Sequence, residues 1–201
     1  MIISEHKQGT DEWYAARVGI PTASNFDKII TSKGDPSKQA VKYMHRLAGE
    51  RIIETREDTY QNAIMLRGIE LEPDAVGLYE FQTGENCEEV GLCYLDEKKL
   101  TGASPDRLVG KKGQLEVKCP ILTTQVEYLL KGKFPTDYFQ QVQGQLYITG
   151  REWCDFVSFY PAMKLFKIRM YRDEVFISKL ATQLDQFCAA LNFAEKTLRG
   201  E

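Results

Sequence analysis

The segment 104–119, SPDRLVGKKGQLEVKC, contains two short strand patterns that are joined by the turn 110–113. Side chains alternate between the two faces of a strand, so Glu116 and Lys118 are predicted to point to the same face. The turn returns the chain, which can bring Asp106 beside Glu116. Two carboxylates at close range repel each other, and a hard divalent cation relieves that repulsion. The segment therefore predicts a site for a metal ion at the end of a β-hairpin.

Such a site has a definite chemistry. The backbone carbonyl of Val117 could add a further oxygen ligand, and Mg²⁺ keeps several water molecules, one of which can be activated to attack a phosphodiester. Lys118 would orient that water or help to deprotonate it, and would offset charge in the transition state. The alternative is a cross-strand cluster of salt bridges on an exposed sheet surface. By itself, this segment leaves both interpretations open.

The hydrophobic periodicity around this segment predicts an α/β fold in which helices flank a central mixed sheet. Helix starts are predicted at Thr10 and at 22–24, and Gly68 and Pro73 are expected to interrupt a later helix, with a kink or a fresh start after Glu72. The chain contains no internal repeat or evident linker, so a single domain over residues 1–201 is expected. The remaining helices are predicted at 37–54, 62–83, 122–131, 136–149 and 174–198, and the strands at 86–95, 100–109, 114–119, 152–159 and 165–171.

The composition limits the classes of protein to which this chain can belong. With 43% hydrophobic and 11% aromatic residues, the 201-residue chain can build a substantial core. The net charge of −3 gives no overall sign of nucleic-acid binding. The five cysteines are scattered without a CxxC pair, which argues against a zinc ribbon and a disulfide framework. We find no signal peptide and no apolar run long enough for a membrane span, and therefore expect a cytoplasmic protein.

Five sequence blocks, in this order, resemble the phage lambda exonuclease or YqaJ-type viral recombinase family of the PD-(D/E)xK nuclease superfamily. The resemblance covers residues 12–150 and implies a restriction-endonuclease-like core. It also implies phosphodiester hydrolysis with two Mg²⁺ ions, for which Mn²⁺ could substitute. The blocks are EWYAARVGIPTAS at 12–24, RGIELEPDA at 67–75, SPD at 104–106, LEVKCP at 115–120 and QVQGQL at 141–146.

The resemblance extends the candidate metal site. It implies that Glu72, a carboxylate on a helix, joins Asp106, Glu116 and the carbonyl of Val117 as a metal ligand, and that Gln141 lies near the metal. It assigns Lys118 the catalytic role that the strand pattern suggests. The neighbouring Glu70 is expected to be a solvated charge. Gln143 cannot share the helix face of Gln141, so one of the two would serve the site and the other packing or DNA.

A second group of residues is expected to bind the end of a DNA strand. The resemblance implies that Arg17 and Ser24 bind a terminal 5′-phosphate, and that Ser104 also contacts it. A guanidinium can contact a phosphate through two donors, and a serine at a helix start adds a hydroxyl beside free N–H groups. The alternatives are that Arg17 is a surface charge and Ser24 only a helix cap. Trp13 is expected to be a core anchor rather than a base-stacking residue.

The resulting functional hypothesis is a 5′-to-3′ exonuclease that digests one strand of duplex DNA from its end and leaves a 3′ overhang for recombination. The resemblance also implies a ring-shaped homotrimer that threads DNA, and a single-strand DNA annealing protein as partner. Basic residues would then need to line only the channel of the ring. The alternatives are an endonuclease or a DNA-repair nuclease of the same fold, including an iron–sulfur type that the dispersed cysteines disfavour. A non-catalytic module is disfavoured because Asp106, Glu116 and Lys118 are all present.

Overall fold

The structure, a computed structural model, describes residues 1–56 and 63–201, and within them the chain forms two sheets and six α-helices. In this described part, no helix combines the length and the apolar character needed to cross a membrane. The strands are β1 (Ile2–Ile3), β2 (Cys87–Glu88), β3 (Cys93–Tyr94), β4 (Gly102–Ala103), β5 (Arg107–Val109), β6 (Gly113–Lys118), β7 (Trp153–Ser158) and β8 (Phe166–Tyr171). The helices are α1 (Asp11–Ala15), α2 (Ala40–Ile53), α3 (Ala63–Thr83), α4 (Leu122–Lys131), α5 (Phe139–Thr149) and α6 (Glu174–Arg199), with 3₁₀ helices at Ala23–Lys28 and Thr136–Tyr138.

Strand β6 is the middle strand of a five-stranded mixed sheet with the order β2-β5-β6-β7-β8. It pairs antiparallel with β5, where Arg107 lies opposite Leu115, and parallel with β7, where Glu116 lies opposite Phe156. A separate three-stranded sheet has the order β1-β3-β4. The expected α/β fold with a central mixed sheet is confirmed.

The two faces of β6 differ as the alternation of its side chains predicts. Leu115, Val117 and Cys119 pack with Ala75 and Tyr79 of α3 in one apolar cluster. On the opposite face, Gln114 and Glu116 contact side chains of α5 through hydrogen bonds. The sheet therefore separates an apolar layer beneath α3 from a polar layer beneath α5.

A larger apolar cluster joins α2, α5, α6 and the 3₁₀ helix Ala23–Lys28. The rings of Tyr43 and Phe187 stack with their centroids 5.6 Å apart, and so connect α2 to α6. Not every apolar side chain of these helices is buried, since Val41 and Phe193 are 61% and 74% exposed. Val41 precedes Tyr43 by two positions, which places it on another side of α2 from the buried face.

Two of the expected strands are each divided between the two sheets. Region 86–95 forms β2 and β3, and region 100–109 forms β4 and β5. Between β4 and β5 lies Pro105, which has no N–H for a sheet hydrogen bond. Between β2 and β3, a side chain at Gly91 would come within 2.5 Å of the backbone oxygens of Ser4 and His6. The strand β1 was not predicted, because its two residues are ordered by long-range pairing with β3.

The expected interruption of the helix at Gly68 and Pro73 was wrong, since α3 continues through both residues. A proline within a helix removes one backbone hydrogen bond and crowds the preceding turn. Here Ala75, Val76 and Tyr79 follow at once and are buried against β6. This packing outweighs the local preference at Pro73. The part of the predicted helix that precedes Ala63 lies outside the described residues.

The close contact between α5 and the 3₁₀ helix gives a test of this packing. A Cβ atom at Gly144 would lie 2.3 Å from Cδ2 and 2.7 Å from Cε2 of the Phe26 ring. Gly144→Ala is therefore expected to lower the free energy of unfolding by about 1–3 kcal/mol, measured by urea denaturation.

A matched variant controls for the effect of replacing a helical glycine. Gly77 lies on α3, and a Cβ atom added there would meet no other atom within 4 Å. Gly77→Ala should therefore raise the free energy of unfolding by about 0.5–1 kcal/mol. Equal effects of the two substitutions would show that contact with Phe26 does not determine the approach of α5.

Candidate active site

Two acidic side chains meet at the end of β6. An oxygen of Asp106, Oδ2, accepts a hydrogen bond from the backbone N–H of Val117 at 2.6 Å, which holds Asp106 against the strand. Glu116 is only 1% exposed. Burial and the charge of Glu116 together raise the pKa of Asp106 well above its usual value. The hairpin thus brings the carboxylates close enough to repel each other, as the sequence pattern predicts.

The carboxylate of Glu116 is held by three donors. Its Oε1 accepts hydrogen bonds from Nζ of Lys118 and, at 2.6 Å, from Nε2 of Gln141. Its Oε2 accepts from Nε2 of Gln145, also at 2.6 Å. One donor comes from β6 itself and two come from α5, so the packing of α5 on the sheet fixes the orientation of Glu116.

Lys118 carries a positive charge at this site. Burial opposes that charge, but the carboxylates of Glu116 and Asp106 outweigh the effect of burial and raise the pKa of Lys118. Its Nζ lies 5.2 Å from the centroid of the Tyr138 ring. A lysine in this state donates hydrogen bonds and stabilises negative charge, and it is poorly suited to accept a proton.

The donor set fits a hard divalent cation. The antiparallel register, continued by two residues beyond the pair of Arg107 and Leu115, sets Pro105 opposite Val117. Pro105 has no N–H to donate, so the carbonyl of Val117 is left without its ladder partner from β5. Two carboxylates and a backbone carbonyl form an oxygen set of the kind that Mg²⁺ and Mn²⁺ prefer. Within residues 1–56 and 63–201, no cluster of three or more His, Cys, Asp or Glu side chains is arranged to hold a metal.

A cavity of about 170 Å³ adjoins the two carboxylates and is lined by most of the predicted site residues. Glu72 is not part of its lining. Gln8, Trp13, Thr22, Ala23 and Gln145 line it although the sequence did not assign them to the site. The predicted residues in the lining are Arg17, Ser24, Ser104, Asp106, Glu116, Lys118 and Gln141.

Arg17 projects an unpaired charge into this cavity. Its guanidinium donates to the hydroxyls of Ser104 at 3.2 Å and Thr22 at 3.5 Å, and it lies 4.1 Å from the centroid of the Trp13 ring. Among the described residues, no carboxylate forms a salt bridge with Arg17, and its buried Nε has no hydrogen-bond partner. Burial and the positive charge of Arg56 lower the pKa of Arg17 to about 10. This environment favours an anion beside Arg17.

The structure bears on two expectations about this cavity. The predicted helix start at 22–24 is confirmed: Thr22 precedes the 3₁₀ helix, and Ser24 lies in its first turn, with Oγ accepting from Asn25 at 3.3 Å. The alternative in which Ser24 is only the helix cap is wrong, since Thr22 occupies that position. Trp13 is not a core anchor, since it is half-buried and its indole N–H donates to Ser104 at 3.2 Å. Both side chains belong to the cavity wall, because α1 and the 3₁₀ helix pack around its opening.

A family model described as the YqaJ-like viral recombinase domain matches residues 12–152. This range contains every residue that lines the cavity except Gln8. The chain belongs to this family. Its fold is similar to the crystal structure of an alkaline exonuclease from Laribacter hongkongensis, with 39% identity, a TM-score of 0.86, and coverage of 94% of this chain and 96% of the other. The structure of that exonuclease in complex with dAMP gives the same values.

More distant relatives extend the comparison. A phage related exonuclease from Haemophilus somnus 129PT is 17% identical, with a TM-score of 0.64 and coverage of 90% and 96% of the two chains, and shows the fold alone. An uncharacterized protein of Acanthamoeba polyphaga mimivirus is 26% identical over 173 residues, which is 78% of this chain. This chain spans 30% of the length of that curated relative.

Glu72, predicted as a further metal ligand, forms an ion pair with Arg107. Its Oε1 accepts from Nη1 of Arg107 at 2.8 Å, and its side chain is 30% exposed. The same nitrogen of Arg107 donates to the backbone carbonyl of Asp106 at 2.6 Å. Arg107 therefore holds Glu72 near the carboxylate pair, where the charge of Glu72 contributes to raising the pKa of Asp106. The adjacent Glu70 is exposed, as expected for a solvated charge.

The glutamines of α5 divide their roles. Gln141 faces the site, whereas Gln143 donates to the carbonyl of Tyr171 at 2.9 Å and accepts from the N–H of Asp173 at 2.8 Å. This resolves the alternative that the sequence left open, since Gln143 serves packing at the end of β8. Gln145 was missed, although its spacing of four from Gln141 places both on one helix face.

Gln145 connects the site to a buried polar chain. Besides its bond to Glu116, it accepts from Nε2 of Gln114 at 3.2 Å, and Gln114 in turn accepts from the hydroxyl of Thr149 at 3.0 Å. Gln114 and Gln145 are 0% and 1% exposed. Because buried polar groups are costly without partners, this chain restrains the position of Gln145 and through it Glu116.

Gln145→Leu keeps the approximate size of the side chain but removes both hydrogen bonds. The free energy of unfolding should fall by about 1–3 kcal/mol, because Gln114 and Glu116 each lose a buried partner. Urea denaturation measures this change. Gln140→Leu on the same helix removes only a long contact of 3.4 Å to the carbonyl of Ile30 and is the control. Equal stability of the Gln145→Leu variant and the unmodified protein would contradict a restraining role.

Proposed function

We propose that this protein is a Mg²⁺-dependent exonuclease that digests one strand of linear double-stranded DNA from a 5′-phosphorylated end. It proceeds in the 5′-to-3′ direction and leaves a 3′ overhang for recombination by single-strand annealing. The observation that carries this proposal is one cavity that contains both the repelling carboxylates and the unpaired charge of Arg17. The alkaline exonuclease among the structural relatives supports it.

The residues that would hold a metal ion are Asp106, Glu116 and the carbonyl of Val117. Bound there, Mg²⁺ supplies an activated water and stabilises charge on the phosphodiester, and Mn²⁺ offers the same chemistry. A second ion would take Glu72 as a ligand, which requires Glu72 to exchange its bond with Arg107. The negative charges of Asp106 and Glu116 repel each other, and a bound cation would relieve that repulsion.

The other side chains hold and orient the DNA. Lys118, as a cation, stabilises negative charge on the phosphoryl group under attack, while Gln141 keeps Glu116 in place. Arg17 binds the terminal phosphate, and the hydroxyls of Ser24 and Ser104 line the same cavity. Because the terminal phosphate and the carboxylates share a small cavity, the cleaved bond lies close to the strand end, as exonuclease action requires.

The proposal includes a ring-shaped homotrimer around the DNA and an annealing protein that receives the overhang. Exposed apolar side chains are available for contacts between subunits, including Phe193 and Leu198 on α6, which are 74% and 61% exposed. A ring needs cations only along its channel, which is compatible with a net charge of −3. The alternative function is an endonuclease or a repair nuclease of the same fold.

Removal of the carboxylate of Asp106 or the ammonium group of Lys118 tests the proposed hydrolysis of DNA. Asp106→Asn and Lys118→Met should each lower the rate of digestion of a linear duplex in Mg²⁺ by at least about 100-fold. Asp185→Asn, at an exposed position on α6, is the control and should leave the rate unchanged. Unchanged rates in the first two variants would contradict the proposed site. Cleavage of covalently closed circles by the unmodified protein would favour the endonuclease.

The Arg17 assignment is tested with two substrates. The unmodified protein should digest a 5′-phosphorylated linear duplex faster than the same duplex with a 5′-hydroxyl. Arg17→Gln should slow digestion of the phosphorylated duplex by about 10-fold or more, because a charge-assisted contact contributes about 1.5–3 kcal/mol. The same variant should digest the 5′-hydroxyl duplex at nearly the unmodified rate. An equal loss on both substrates would show that Arg17 does not recognise the phosphate.

A further inference from the structure

A second cavity, of about 260 Å³, opens between the 3₁₀ helix Ala23–Lys28 and helix α2. Its lining consists of Lys28, Gln39, Lys42, Tyr43 and Arg46, and therefore contains three cations and no acidic side chain. None of these residues was assigned a role by the sequence. The concentration of positive charge is unexpected in a chain whose net charge is −3.

The cations are arranged around one aromatic ring. The Nζ of Lys28 lies 5.4 Å from the centroid of Tyr43, and the guanidinium carbon of Arg46 lies 5.1 Å from it. Burial and the charge of Arg46 lower the pKa of Lys28, so the two cations disfavour each other. Lys42 is exposed and lies at the rim.

The acidic residues nearby neutralise only part of this cluster. Oε1 of Glu50 forms a salt bridge with Nε of Arg46 at 3.6 Å, while its Oε2 accepts from the N–H of Gly19 at 3.1 Å. Asp27 attracts Lys28 only weakly compared with the effect of burial and of Arg46. Within the part of the chain that the structure describes, neither Lys28 nor Lys42 forms a salt bridge. The cavity therefore has a surplus of positive charge that an anion would relieve.

The cavity lies beside the phosphate-binding end of the candidate active site. Nζ of Lys28 donates to Oδ1 of Asn25 at 2.6 Å. The amide of Asn25 donates to Oγ of Ser24 at 3.3 Å and to Oγ1 of Thr22 at 3.4 Å, and both hydroxyls line the first cavity. The 3₁₀ helix is therefore a wall shared by the two cavities.

We propose that this second cavity binds a backbone phosphate of the DNA, at a position separate from the terminal phosphate that Arg17 holds. The inference rests on the proposed function, since it takes DNA as the substrate. A DNA strand carries one phosphate for about every 3.4 Å of helix axis, so a duplex held at Arg17 presents further phosphates to the surface nearby. Three cations beside an aromatic ring provide charge without reading a base, which suits contact with any sequence.

The salt dependence of DNA binding tests this site. The full chain is titrated in EDTA, where no cleavage occurs, against a fluorescent 5′-phosphorylated duplex at salt concentrations from about 50 to 200 mM. Lys42→Gln and Lys28→Gln should each reduce the slope of log K against log salt by about one, and the double variant by about two. Affinity should fall most at low salt.

Matched variants separate the site from general charge effects. Lys111→Gln removes the same charge from the turn before β6, at the end of that strand opposite to Lys118, and should leave the slope unchanged. Lys28→Gln also removes the bond to Asn25, so its thermal unfolding is compared with that of the unmodified protein. Lys42→Gln tests the charge at an exposed position.

The outcomes are distinct. Unchanged slopes for Lys42→Gln and Lys28→Gln, or an equal reduction for Lys111→Gln, would overturn the inference. If inorganic phosphate or dAMP bound to the unmodified protein and not to the double variant, while the slopes for duplex DNA were equal, the cavity would be a site for a free anion and the inference would be wrong.

Digestion of the duplex by the unmodified protein in Mg²⁺ is measured separately. Digestion with unchanged slopes would reject the second cavity alone, whereas failure of the unmodified protein to bind or digest DNA would reject the proposed function.

Discussion

The burial of one carboxylate, that of Glu116, is the constraint on which the rest of the site depends. A charge that is 1% exposed is costly unless its oxygens have strong partners, and here Lys118, Gln141 and Gln145 provide them. Two of the three donors lie one helical turn apart on α5. The protein can therefore bury Glu116 only if α5 lies directly above the polar face of β6.

The same position of α5 determines where the proposed phosphate-binding residues lie. One side of the helix presents Gln141 and Gln145 to Glu116, and Gly144 allows the ring of Phe26 to approach closely. Phe26 belongs to the 3₁₀ helix that also carries Ser24. A single helix thus fixes the distance between the carboxylates and the opposite wall of the cavity, which carries Ser24. A change that moved α5 would disturb both parts of the site together.

The sequence predicted local features well and long-range pairings poorly. The alternation at 114–119 and the turn before it were sufficient to place Asp106 beside Glu116, because both depend on neighbouring residues. The ion pair between Glu72 and Arg107 joins residues distant in the sequence, and no local pattern indicates it. For the bond of Gln145 to Glu116, the sequence offered only the helical spacing of Gln145 from Gln141. Pro73 is the opposite case. Its local preference to interrupt a helix was clear, but the packing of α3 against β6 outweighed that preference.

The distribution of charge explains how an acidic chain can be suited to an anionic substrate. Many cations of this protein are matched by an acid, such as Arg51 with Glu195 and Lys112 with Glu152. Among the described residues, Arg17 and Lys28 form no such pair, and both adjoin cavities on the two sides of one 3₁₀ helix. Unpaired, partly buried cations lower stability, so their concentration on one surface is unfavourable in the free protein. An anionic ligand would remove that cost on binding, and for this reason the location of unpaired cations supports the proposed DNA-facing surface better than the net charge does.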